Sequence, residues 1–326
     1  MPEVTMSAAL NAALRDSLAE DPRVVVYGQD VGTLGGVFRV TDGLQDAFGA
    51  ERVFDTPIAE AAMVGAAVGL ALAGWKAVVE IQFDGFSYPA LDQVISHIAK
   101  YRYRSRGRQS APLVIRIPFA GGVGAAEHHS ESPEAYYAHT AGLKVVVPST
   151  PLDAYDLLRA SIADPDPVIF FEPKSRYWSK EQGDLGANGD ALPIGKARIA
   201  RHGTDCTIIT YGAMVARSLA AAEEASEDGT EIEVLDLRSL VPLDLDAIAA
   251  SVRSTGRAVV VHEAPMTAGF GAEIVARIME DAFEYLEAPV LRVTGYDTPY
   301  PPATIEAHYL PNTERILAAV ARVTSF

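Results

Sequence analysis

Three segments of the 326-residue chain gather side chains capable of chemistry. In the first, Asp55-Thr56-Pro57-Ile58-Ala59-Glu60 sets a carboxylate at the mouth of a stretch, 60–74, made almost wholly of Ala, Gly, Val, Leu and Met. An acidic residue in a first helical turn often does no more than answer the helix dipole. A carboxylate entering apolar surroundings is also suited to bonding a heterocycle nitrogen. The second segment, Glu127-His128-His129-Ser130-Glu131-Ser132-Pro133-Glu134, crowds imidazoles and carboxylates into a loop before a Pro-started helix. Adjacent loop histidines suit metal ligation poorly, which leaves an exposed loop or general acid/base work near neutral pH. The third comprises the glycine loops Gly28, Gly32, Gly35, Gly36 and Gly121, Gly122, Gly124. Neither spells the dinucleotide fingerprint, since Glu127 stands where its last small residue belongs, and no Gly-Lys-Ser/Thr completes a P-loop. They read as turn formers. His97, His139 and His262 read as locally satisfied, and no Gly-x-Ser-x-Gly elbow occurs.

The elements that must position these groups alternate in type. Helical spacing marks 6–18, and β-branched runs mark strands at 24–27, 77–81, 113–117, 144–147 and 168–171, the pattern of parallel strands joined by crossover helices. The segment 60–74 is apolar all round, which predicts burial within the molecule or at a subunit contact. Residues 89–103 form a helix by spacing, ending in Arg102, Arg104, Arg106 and Arg108, a solvated basic end. Periodicity stops over 172–191, the signature of a connector. A second α/β unit follows, with strands at 206–211, 232–235, 258–262 and 290–293 and helices at 213–226, 245–254, 271–285 and 313–323. The fold class is therefore α/β in two domains, 1–185 and 201–326, with a linker over 186–200.

Composition narrows the function classes. Apolar residues make up 49% and charged residues 21%, enough for sizeable cores. The net charge of −16 repels nucleic acid and anionic membranes. A lone cysteine, Cys206, cannot build a disulfide framework or a thiolate metal site. The beginning of the sequence shows no targeting pattern, and no run of about 18 apolar residues occurs, so a cytoplasmic protein is expected.

Taken in order, several segments resemble the beta subunit of the decarboxylating first component of 2-oxo acid dehydrogenase complexes, over nearly the whole chain. They are 24–45 (Val-Val-Val-Tyr-Gly-Gln-Asp-Val-Gly, then Gly-Gly-Val-Phe-Arg-Val-Thr-Asp-Gly-Leu-Gln), 55–60, 80–86 (Glu-Ile-Gln-Phe-Asp-Gly-Phe), 129–136, 142–151 and 295–301. The resemblance implies a thiamine-diphosphate enzyme of the transketolase type. Its N-terminal domain would hold the cofactor's aminopyrimidine, and its C-terminal transketolase-like domain would serve mainly in assembly. It implies that Glu60 bonds the pyrimidine N1′, that Gln29, Gln82 and Phe86 lie near that ring, and that Ile58 and Ala59 bring backbone close. Phe83, Asp84, Gly85 and Phe86 would border the substrate, and His129 would assist acyl transfer to a lipoyl group. A monovalent cation, K+, would fall near the carbonyl of Leu113 and around Asp164 and Asp166.

The resemblance also implies partners. The family's Mg2+-diphosphate signature, Gly-Asp-Gly, is absent from this sequence. An alpha subunit would supply that half of the site, two of each chain would associate, and this chain alone would be inactive. A lipoyl-bearing acyltransferase core would accept the acyl group from a small 2-oxo acid. Phe171-Glu172-Pro173-Lys174 and Gly295-Tyr296-Asp297-Thr298-Pro299 lean towards branched-chain substrates, with pyruvate or acetoin as the alternative, and both are expected away from the pocket. Gln29 stands where most relatives carry glutamate, which puts proton relay between active sites in question. Two other readings remain: a nicotinamide dehydrogenase, which the broken glycine fingerprint opposes, and a non-catalytic assembly subunit.

Overall fold

A computed structural model describes residues 2–186 and 192–326. Its larger sheet has seven strands in the order Ser239–Val241, Lys144–Val146, Val168–Pro173, Leu113–Phe119, Lys76–Glu80, Val24–Gly28, Val53–Asp55. The last six run parallel, and Ser239–Val241 pairs antiparallel to Lys144–Val146. Strands covered on both faces need apolar residues at nearly every position, which is why these runs lack alternation. On one face lie helices Met6–Glu20 and Pro151–Ala163, packed through Leu10, Leu14, Leu157 and Leu158. Thr5 caps the first through its hydroxyl, which accepts from Ala8 N at 3.2 Å.

The other face carries helix Glu60–Leu72 and the segment that follows Lys76–Glu80. The helix turns Met63, Val64, Ala67 and Ala71 inward, and Tyr27 donates its hydroxyl to the Met63 carbonyl at 3.0 Å. Its opposite side, including Ala61, Ala62, Ala66 and Leu72, is exposed on this chain. The helix expected over 89–103 is instead a 3₁₀ turn at Asp84–Ala90, a π turn at Gln93–Ile98 and a short α-helix at Tyr101–Arg104. Pro89 within the first turn lacks the N–H that an α-helix requires.

The second sheet has five strands, ordered Leu291–Gly295, Ala258–Pro265, Cys206–Thr210, Ile232–Asp236, Arg198–Arg201, parallel except for the last pairing. Helices Met214–Glu227 and Thr313–Thr324 cover one face. On the other face Ile248, Val252, Ile274 and Ile278 belong to the same buried cluster as Ile115 and Phe171 of the larger sheet. The two sheets thus share a core.

The connector expected over 172–191 begins inside the first domain. Glu172 ends a buried strand, and Lys174 and Tyr177 are themselves buried. Lys180–Gln182 then pairs antiparallel with Glu3–Thr5. Charged letters read as solvent in the sequence, yet here Arg116 neutralises Glu172 and Asp84 neutralises Lys174 in the interior. Of the linker expected over 186–200, residues 187–191 lie outside the described residues, and its far end enters strand Arg198–Arg201.

Candidate functional site

Ligands of open parallel sheets bind beyond the carboxyl ends of the strands. Four neighbouring strands, Val53–Asp55, Val24–Gly28, Lys76–Glu80 and Leu113–Phe119, deliver the expected residues to one such end. Gln29 follows the second of these, Gln82, Phe83 and Phe86 the third, and His129 the fourth, in a 3₁₀ turn at Glu127–His129. Glu60 opens the helix after the first. Gly28 allows the strands to converge: a Cβ there would sit 2.5 Å from the Glu80 carbonyl oxygen.

Glu60 is almost buried, and its Oε1 accepts the Gln29 side-chain amide at 2.9 Å. The loop after Gln29 is held by Asp55, whose Oδ1 accepts from Gly32 N at 2.7 Å. Gln82 donates to Asp30 Oδ2 at 2.8 Å. Ile58, two residues before Glu60, is 84% exposed on this chain, a large apolar side chain projecting from the strand ends, with Ala59 behind it at the helix entry.

At the same strand ends stands an aromatic wall. The His129 ring lies 4.2 Å from Phe83 and 5.1 Å from Phe86, both edge-on, and Phe83 meets Phe86 at 6.0 Å. Burial, His128 and Lys174 together lower the proton affinity of His129, so a neutral imidazole is favoured near neutral pH. Gly85 is where the two loops touch, since a Cβ there would come within 2.4 Å of the His128 carbonyl oxygen. Asp84, expected to border the substrate, is fully buried instead. Its Oδ1 pairs with Lys174 Nζ, and its Oδ2 accepts from Glu131 N at 2.6 Å.

Lys174 is therefore a correction. The segment 171–174 was expected away from the pocket, yet the Lys174 ammonium lies 5.8 Å from the centre of the Phe83 ring. Residues 298–300, at the other such motif, line a cleft of about 810 Å³ with Tyr88, Glu131 and Ser132. A third buried group escaped the sequence reading. Arg116 bonds Glu172 through Nε at 2.7 Å and Nη2 at 2.9 Å, and Glu80 through Nη1 at 2.6 Å, while Tyr177 donates to Glu172 at 2.6 Å. One signal was available: single charges interrupting three apolar strands that turn out to be neighbours.

Elsewhere, Asp164 accepts Lys144 Nζ at 2.5 Å and Asp166 N at 2.8 Å, and Asp166 accepts Arg102 Nε. Leu113 begins its strand beside them. His262 is buried against Tyr211, and burial pulls its pKa down to about 4.

Residues 2–179 match the transketolase pyrimidine-binding domain, and residues 195–316 the transketolase C-terminal domain. The 3-methyl-2-oxobutanoate dehydrogenase subunit beta of Mycobacterium tuberculosis (strain CDC 1551 / Oshkosh) is 58% identical, over 98% of this chain and 92% of that protein. The chain belongs to the transketolase-like beta subunits of 2-oxo acid dehydrogenases. The pyruvate dehydrogenase E1 component subunit beta of Leifsonia xyli subsp. xyli is 54% identical to this beta subunit, covering 98% and 95% of the two chains. Its counterpart from Bacillus subtilis is 49% identical over the whole of both. A solved structure described as a split gene transketolase, inactive beta4 tetramer, shares the fold with a TM-score of 0.82 at 23% identity, over 99% of this chain and 98% of that one. The domain types of this beta subunit are therefore a pyrimidine-binding α/β domain followed by a transketolase C-terminal α/β domain. Among the described residues no helix is long and apolar enough to cross a membrane.

Proposed function

We propose that this chain contributes the aminopyrimidine half of a thiamine-diphosphate site in the oxidative decarboxylation of a branched-chain 2-oxo acid, with acyl transfer to a lipoyl group. The observation that carries the reading is Glu60, an acceptor at the strand ends held by Gln29, at the same end of the sheet as the Phe83, Phe86 and His129 cluster, to which Gln82 ties the Gln29 loop through Asp30. The donor set suits an aminopyrimidine. A carboxylate takes an N–H, Phe86 offers a ring, Gln82 an amide, and Ile58 stands exposed before the helix entry at Ala59. When bound, the cofactor supplies the electron sink that decarboxylation needs.

The chain's own residues then have separate tasks. Glu60 holds a proton at N1′ and so sets the ring's tautomer. Gln29 keeps Glu60 in place. Phe83 and Phe86 exclude water from the acyl side, where Gly85 lets the histidine loop approach, and Asp84 orders the turn from behind. His129, favoured neutral, accepts or returns a proton during transfer to the acceptor thiol. Mg2+ and the diphosphate belong to an alpha subunit in an assembly of two alpha and two beta chains. The lipoyl-bearing acyltransferase core is the acyl acceptor, and the cytoplasm the expected compartment. Lys144 and Arg102 already neutralise Asp164 and Asp166, so a K+ near the Leu113 carbonyl would rely on backbone oxygens. The relative named for 3-methyl-2-oxobutanoate supports branched-chain over pyruvate chemistry.

The test is co-expression with the cognate alpha subunit and a panel of branched-chain 2-oxo acids, pyruvate and acetoin. Branched-chain acids are expected to give the highest kcat/KM. Glu60→Ala should lower decarboxylation by about a hundredfold to ten-thousandfold, and His129→Ala should chiefly slow transfer to the lipoyl acceptor. Decarboxylation by the isolated chain, or full activity of Glu60→Ala, sinks the reading.

A further inference from the structure

The Asp84–Lys174 pair lies buried behind the Phe83–Phe86 turn. Both side chains have no exposed surface, and their charged atoms are in contact. Burying an ion pair gains little stability over apolar packing, so its presence behind a catalytic wall calls for another use. Asp84 begins the turn Asp84–Ala90 that carries Phe86, and Lys174 follows the strand Val168–Pro173. The second Asp84 oxygen takes the N–H of Glu131, two residues past His129. One carboxylate thus joins three chain segments: the phenylalanine turn, the histidine loop and the end of a central strand. The Lys174 ammonium lies over the Phe83 ring, which in turn packs on His129.

We propose that Asp84 and Lys174 are positioning residues that clamp the Phe83–Phe86 turn to the His129 loop, fixing the imidazole against both rings for acyl transfer. This inference rests on the function proposed above. A second consequence follows from the charge. The ammonium is one of the groups that disfavour protonation of His129, so the clamp also favours the free base.

Lys174→Met alone leaves a buried carboxylate without its cation and is a poor probe, because such variants commonly lose stability. The informative variant is Asp84→Asn/Lys174→Met, which removes both charges while the substituted amide keeps a carbonyl oxygen as acceptor for Glu131 N. Lys174→Arg, which keeps a cation, serves as the conservative partner. Two readouts are needed. In the full-length chain, the His129 titration midpoint is followed by NMR, with its resonance assigned through His129→Ala. In the reconstituted assembly, kcat for decarboxylation with an artificial electron acceptor is compared with kcat for transfer to lipoyl acceptor. The double variant is expected to shift the His129 midpoint upward, because loosening the wall admits water to an imidazole whose burial is the first cause of its lowered proton affinity. Lipoyl transfer should fall at least tenfold and by more than decarboxylation does, and Lys174→Arg should recover part of both effects. An unmoved midpoint in the folded double variant overturns the proposal, as does lipoyl transfer at the wild-type rate. Failure of the wild-type assembly to decarboxylate any 2-oxo acid would instead remove the functional reading, an outcome that the NMR titration does not share.

Discussion

Gln29 donates its side-chain amide to Glu60 Oε1 at 2.9 Å, joining the ends of two adjacent parallel strands. An amide is a donor at every pH, whereas a glutamate in its place needs a proton to make the same bond. Glu60 is therefore held as an acceptor by a neighbour that never titrates.

Gln29→Glu should add an ionisation to the pH–rate profile of the assembly, because two carboxylates at this spacing share a proton rather than both ionise. Gln29→Ala removes a bond to a charged group, worth about 1.5–3 kcal/mol, and should cost at least about tenfold in kcat/KM. A profile of Gln29→Glu identical to wild type would contradict this account.

Arg116 holds two buried carboxylates, Glu80 and Glu172, by three short bonds. Arg116→Met strands both, and the penalty for breaking such a group from one side is about 3–5 kcal/mol. Urea unfolding of the purified chain measures it. A loss under about 1 kcal/mol means the carboxylates find other partners.

Gly85→Ala places a methyl group 2.4 Å from the His128 carbonyl oxygen. Backbone must give way, so the histidine loop should retreat from the phenylalanines. Lipoyl transfer should fall about tenfold or more, since small misplacements of catalytic groups are costly, while decarboxylation changes little. Stopped-flow measurement of the two steps separates them.

Glu134 is buried and accepts the Tyr211 hydroxyl at 2.6 Å. Burial pushes its pKa up to about 7, against 4.5 for an ordinary glutamate. The folded chain then binds more protons at this site than the unfolded chain between those values. Its contribution is complete below pH 4.5 and is lost as pH rises through about 7. Thermal melts from pH 5 to 8 should show Glu134→Gln losing less stability with rising pH than wild type. Parallel curves for the two proteins would rule out this titration.

The parts legible in the sequence were those with a strong local signal. Residues 24–28, 76–80, 113–119 and 168–173 are β-branched or aromatic runs long enough to announce buried strands. Val53–Asp55 and Ser239–Val241 are three residues each with only two apolar letters, whereas the equally short Lys144–Val146 runs on into Val147 and so registers. Residues 89–103 keep helical spacing of their apolar side chains although the backbone winds as 3₁₀ and π turns. Spacing reports which side faces the core, not the hydrogen-bond pattern. Gln29, Glu60, Gln82, Phe86 and His129 are singled out by ordered motifs, and the fold brings them to one end of one sheet. Lys174 and Arg116 stayed hidden because a charge on paper carries no mark of its partner, which for Arg116 waits on each adjacent strand and for Lys174 on the turn after a strand two places away.

Ser239–Val241 belongs by sequence to the second half of the chain yet lies beside Lys144–Val146 in the first sheet. A gene split between the halves would strip that border, leaving a bare row of amides and carbonyls ready to recruit any passing strand. The halves of this beta subunit are accordingly unsuited to life as separate polypeptides, and shuffling them between relatives means carrying the borrowed strand along.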